Sequence, residues 1–169
     1  MKNEQAKQSA LIHTLYSSFA QRDYKTMAEC YHPEARFKDE VFELKGNEIA
    51  AMWHMLCVRG KDLSIDYDQV EVSANTGSAN WVATYTFSQT GRKVKNEIAA
   101  SFIFKDGLIL NHQDDFDFWR WSTQALGFVG LVLGWSDILR NKVSQQAMQS
   151  LRAFIRKHPE YEKNNLLGD

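Results

Sequence analysis

What this chain of 169 residues lacks first is a long apolar run. No stretch reaches the roughly 20 apolar residues that a membrane-crossing helix needs, so no integral membrane segment is expected. Its polar start, MKNEQAKQ, lacks the continuous apolar core of a signal peptide, which makes the cytoplasm the expected compartment. Cysteine is scarce. Cys30 and Cys57 share no CxxC spacing and fall in helical patterns, as buried reduced thiols do, and neither has a sequence partner that would make it a nucleophile. An excess of one charge is also missing: the net charge of −1 gives no electrostatic reason to expect nucleic acid. There is no GxGxxG, Walker loop or GxSxG elbow. The histidines at 13, 32, 54, 112 and 158 are scattered without HExxH spacing, so neither a metal nor a cofactor is expected.

What is present is a composition rich enough to bury a core, with 44% hydrophobic residues and 12% aromatics. Ile12, Leu15, Tyr16 and Phe19 recur at i, i+3, i+4 and i+7, which predicts an amphipathic helix over residues 4–21. A short second helix carries Tyr24, Met27, Ala28 and Tyr31 inward. His32-Pro33 is expected to end it, since a residue before proline avoids the α region. Short extended pieces follow at 35–39 and 41–44. Gly46-Asn47 opens a third helix with a stripe of Ile49, Met52, Trp53, Leu56 and Cys57, closed by Arg59-Gly60. From Leu63 the period becomes two. Strands are expected through Leu63, Ile65 and Tyr67, through Trp81, Ala83, Tyr85 and Phe87, and through Val94, Ile98, Ala100, Phe102 and Phe104. A phase shift near Asp68 predicts a bulge. Helices followed by an antiparallel meander predict an α+β fold, a strongly curved sheet covered by N-terminal helices around a conical space.

The stretch LILNHQDDFDFWRW, residues 108–121, follows an Asp106-Gly107 turn and reads as the last strand. Alternation puts Leu110, His112, Asp114, Phe116 and Phe118 on one face. A histidine and a carboxylate in the middle of an apolar face are either a satisfied structural pair or the chemistry of a pocket. With the faces reversed, Asp115 and Asp117 would take the place of Asp114. In the pocket reading, Asp114 fixes the tautomer of His112 while His112 moves the proton. Asp39 supplies a second base from the opposite wall, and Tyr16 donates to developing negative charge. Trp53, Phe116 and Phe118 shape the wall.

Residues 122–169 read as a C-terminal extension of the domain at 1–121. Within it, ALGFVGLVLGW at 125–135 is apolar on every side, and its glycines allow close backbone contact. It is expected to be a buried lid or a dimer contact. Ser136 reads as the N-cap of a terminal helix with Val143, Ala147, Leu151, Phe154 and Ile155 inside, stopped by Pro159. The tail after Tyr161 is expected to be loosely ordered.

The order of elements, with DYKTMAECYHPEARFKDEV at 23–41 and the helix opened at Gly46, resembles the nuclear transport factor 2-like superfamily over residues 5–119. Its SnoaL-like and ketosteroid-isomerase-like members are most similar, and HQDDFD fits their final strand. The resemblance implies a conical pocket for a small apolar or cyclic molecule, a homodimer, and isomerase, dehydratase or cyclase chemistry without a cofactor. The superfamily also holds proteins with no enzymatic role, so a non-catalytic binding or assembly module is the alternative. Asp39 falls where ketosteroid isomerases keep a general base, and Asp114 where SnoaL-like cyclases keep an acid/base aspartate. Leu15 stands in place of the isomerase oxyanion tyrosine, beside Tyr16, and Ala100 in place of its protonated acid. The arginine that limonene-type epoxide hydrolases hold between two aspartates has no counterpart in these strands. Both departures argue against steroid isomerisation and epoxide hydrolysis.

Overall fold

The helical stripe at Ile12, Leu15, Tyr16 and Phe19 forms α1 (Lys2–Ala20), and all four side chains are buried. The computed structural model describes residues 2–162. Asp23 caps a one-and-a-half-turn α2 (Tyr24–Glu29) by accepting a hydrogen bond from the Thr26 amide. Contrary to expectation, Tyr31 and His32-Pro33 do not finish a helix. They begin β1 (Tyr31–Lys38), whose register breaks between Tyr31 and Arg36. Proline is tolerated at such an irregularity because no ladder donor is needed there. Then come β2 (Glu43–Lys45) and α3 (Asn47–Arg59), entered through Gly46 at φ +51°.

Four strands follow: β3 (Ser64–Ser73), β4 (Thr76–Phe87), β5 (Arg92–Lys105) and β6 (Leu108–Phe116). The sheet order is β2-β1-β6-β5-β4-β3, with β1 and β6 parallel and every other pair antiparallel. The bulge expected near Asp68 is present between Asp68 and Glu71, with Gln69 at positive φ. Asp106 and Gly107 both take positive φ, as a two-residue hairpin turn of type I′ requires. Bulges tighten the right-handed twist, so the sheet curls around α1 and α3. The fold is the mixed α+β cone expected.

The last strand is shorter than the alternation suggests. It stops at Phe116 because the Asp117 side chain accepts from the Arg120 amide at 2.9 Å and caps α4 (Phe118–Leu126). Phe118, Trp121, Ser122 and Ala125 then share a buried helical face. Phe118 therefore leaves the strand face assigned to it. A third irregularity in register, between Ile103 and Phe104, leaves Leu110 without a β5 partner and turns Ile109 inward in its place. Beyond that bulge the expected phase returns, and His112 and Asp114 are buried while Gln113 and Asp115 are exposed.

The apolar segment continues as α5 (Phe128–Leu133), then α6 (Asp137–Arg156), capped by Ser136, and a 3-10 turn at Pro159–Tyr161. Leu151 and Phe154 of α6 join the main core. Glycine is required at 130: a Cβ there would lie 1.9 Å from the Ser122 carbonyl oxygen. In the single chain the segment does not form a buried lid, since its Phe128 and Trp135 are at least three-quarters exposed, as is the neighbouring Ile138. The expectation for the tail falls on residues 163–169, which lie outside the described residues.

Candidate functional site

Between the curled sheet, α3, α4 and α6 lies a cavity of about 490 Å³, open on one side. Its walls are mostly apolar, with Phe19, Met52, Trp53, Ile98, Phe116 and Val143 among the residues that line it. Such a space suits a small, largely apolar molecule. Asp39, at the end of β1, and Asp114, on β6, both line it.

Asp39 accepts two backbone hydrogen bonds on one oxygen, Oδ1, from the Val41 amide at 2.7 Å and the Phe42 amide at 2.5 Å. This is the local turn an aspartate favours between two short strands. Oδ2 has no protein partner among the described residues and is not sealed off, so it is the oxygen the cavity reaches. Burial among apolar walls pushes the Asp39 carboxyl up to about 7; the two amides pull it down, and the nearby charges of Asp114 and Glu40 push it further up. Asp39 keeps some accessible surface toward the cavity, whose mostly apolar walls disfavour the charge all the same.

Asp114 is held from behind. His112 Nε2 lies 2.9 Å from Asp114 Oδ1, and Trp81 Nε1 donates to the same oxygen at 3.2 Å. On its other side, His112 Nδ1 lies 2.7 Å from the Tyr31 hydroxyl, which accepts from Trp53 Nε1 at 3.1 Å. Direction along this chain is set by its end. Indole can only donate, and among the described residues His112 Nδ1 is the partner that can take the Tyr31 proton; with Tyr31 donating there, a neutral imidazole carries its proton on Nε2, toward Asp114. Phe37, Phe102 and Trp53 pack around the ring. Apart from Asp114 Oδ2, every side-chain polar atom of the relay is thus paired in an apolar shell, as burial demands. Asp114 Oδ2 is left over for the cavity.

The sequence candidates therefore separate. Asp39, Asp114, Trp53 and Phe116 line the cavity. His112 does not; it is 1% exposed and stands behind Asp114, reversing the expected order of the pair. Tyr16 is buried against Tyr67, Trp81 and Phe102, with no hydrogen-bond partner for its hydroxyl, and does not reach the cavity. Phe118 packs with Val94, Trp121 and Ala125 in a separate cluster. The cavity tyrosine is Tyr85, which alternation had already put on the face of Trp81. Its hydroxyl accepts from Trp121 Nε1 at 2.9 Å, and no described residue takes its proton. Burial raises its pKa, the Trp121 bond opposes this, and the Asp39 charge adds to it, so Tyr85 stays protonated as a donor. Tyr31 and Trp81, which complete the relay, were legible only as core residues. Histidines scattered in sequence do converge in one place: His54, His158 and Glu160 come together on the far side of α3.

The SnoaL-like domain matches residues 12–112, more than half of the chain, and the protein belongs to that family. Asp39 lies inside the matched span and Asp114 just beyond it. Among curated proteins none matches. Similar solved structures include TsrD from Streptomyces laurentii, 20% identical over 73% of this chain and 98% of that one, TM-score 0.63. Another is an LEH-like epoxide hydrolase from M. tuberculosis, 14% identical over 77% of this chain and 98% of that one, TM-score 0.60. A third, from Catenulispora acidiphila, has a ketosteroid isomerase-like fold and was solved in complex with trimethylamine. It is 8% identical over 68% of this chain and 91% of that one, TM-score 0.61. At these identities the likeness is one of fold. No described helix is long and apolar enough to cross a membrane.

Proposed function

We propose that this protein binds a small, mostly apolar or cyclic molecule in the cone and moves a proton on it without a cofactor, as an isomerase, dehydratase or cyclase does. The observation that carries this reading is a pair of carboxylates, Asp39 and Asp114, each with one oxygen tied to the protein and one free toward a mostly apolar cavity. A carboxyl poised near neutrality exchanges protons efficiently at neutral pH. Asp39 takes the proton from a carbon beside a carbonyl; the Tyr85 hydroxyl donates a hydrogen bond to the enolate oxygen so formed. Asp114, oriented by His112, holds the second polar point of the ligand or its water.

The test is α-proton exchange of a panel of cyclic ketones, 2-tetralone among them, in D2O followed by proton NMR. At least one ketone should exchange faster with the protein than with Asp39→Asn, at a rate rising with pH through about 7. Equal exchange by the two proteins across the panel would overturn the reading.

A second reading has its own observation. Phe128, Trp135 and Ile138 are 77%, 76% and 82% exposed on adjoining turns, an apolar surface of the kind that marks an interface. We infer that this surface joins two copies of the chain, with α5 edging the cavity through Val129. Light scattering should give a dimer mass for the wild type and a monomer mass for Phe128→Ser/Trp135→Ser; a monomeric wild type refutes it.

A further inference from the structure

His54 lies on the part of α3 that meets α6 and the 3-10 turn, and it is buried. His158 follows the end of α6, and Glu160 sits in the turn. One donor atom from each of these three residues lies within 4.8 Å of the others. The rings are also oriented in advance. His158 Nδ1 is 2.9 Å from the Phe154 carbonyl oxygen. A carbonyl only accepts, so Nδ1 carries the proton and Nε2 keeps its lone pair. His54 Nδ1 lies 3.0 Å from the Tyr161 hydroxyl, which can accept its proton and leave Nε2 free in the same way. Tyr24 stacks on His54 at 3.6 Å between centroids, and Phe154 stacks on His158 at 4.0 Å. Ring nitrogens engaged on the outer side and stacked faces are the support that metal-binding histidines use.

We propose that His54, His158 and Glu160 bind a divalent cation of the zinc class and clasp the chain end onto α3. Two imidazoles and one carboxylate suit zinc and its neighbours; magnesium and calcium prefer oxygen alone. A tetrahedral ion held at about 2.1 Å needs donors about 3.4 Å apart, so the three side chains, whose donors lie within 4.8 Å of one another, draw in around the ion, Glu160 being exposed and free to rotate. Water completes the fourth position. The clasp is separate from the proton transfer proposed above, because none of the three residues lines the cavity.

Zinc chloride is titrated into the full chain after EDTA treatment and desalting, with calorimetry and thermal melting as readouts. One ion should bind per chain with micromolar or tighter affinity, and the melting temperature should rise by about 5–10 °C at a hundredfold excess over Kd. Cobalt chloride should give visible absorption bands of a four-coordinate nitrogen/oxygen site. Glu160→Gln, an exposed substitution, should weaken zinc binding at least tenfold, His158→Gln should abolish it, and His13→Gln should leave it unchanged. Magnesium chloride should bind no more than weakly. Zinc affinity equal in the wild type and His158→Gln, or no thermal shift with zinc, overturns the proposal.

Discussion

Replacing Asp39 by Asn should stabilise the fold, and increasingly so as the pH rises. A carboxyl moved from 3.8 to about 7 has its charged form disfavoured by about 4 kcal/mol. That is an upper limit, because Asp39 keeps contact with cavity water. The folded state here holds its proton more tightly than the unfolded chain. Stability is therefore undiminished below about pH 4, falls as the pH rises from there, and levels off above about 7. Asn keeps the acceptor for the Val41 and Phe42 amides and has nothing to titrate. The difference between variant and wild type should widen by about 2.5 kcal/mol between pH 5 and 8.5, or about 5–10 °C in melting temperature for a chain of this size. Urea unfolding of both proteins across that range measures it, and a carbon-13 titration of the Asp39 carboxyl locates the midpoint directly. A gap that stays constant with pH, or a midpoint below 5, refutes the reasoning. Stability gained by removing one polar group from a cavity is the usual mark of a group kept for function.

Other substitutions probe the surroundings of Asp39. Asp114→Asn removes a charge that raises the Asp39 carboxyl, so the Asp39 midpoint should move down in the same NMR titration. Tyr31→Phe strands the Trp53 N–H and His112 Nδ1 in an apolar shell; it should cost about 1–3 kcal/mol in urea unfolding, although Tyr31 does not line the cavity. Gly130→Ala puts a methyl group into the Ser122 carbonyl and should lower the melting temperature and loosen α5, seen as faster amide exchange over residues 128–133.

Most elements were legible in the sequence because their signals are local, although the start of β1 at Tyr31 and the helix α4 were not. The stripe of α1, the opening of α3 at Gly46, the period-two strands, the Asp106-Gly107 turn and the Ser136 cap all depend on neighbours a few residues away. So did the inward phase of His112 and Asp114, once β6 was placed. Tertiary structure alone decided which polar group faces the cavity. Asp114 stands in front of His112 because Tyr31 and Trp53, from β1 and α3, hold the imidazole from behind. Tyr16 and Tyr85 both read as inward-facing tyrosines; only the packing of α1 against Trp81 and of α4 against Tyr85 gives the cavity to the second. Alternation runs on past Phe116 to Phe118 with nothing in the pattern to stop it, and the Asp117 side chain, accepting from the Arg120 amide, is what ends β6 and opens α4. His54 and His158 meet because α6 folds back along α3. That contact joins segments a hundred residues apart, and no pattern in either segment announces it.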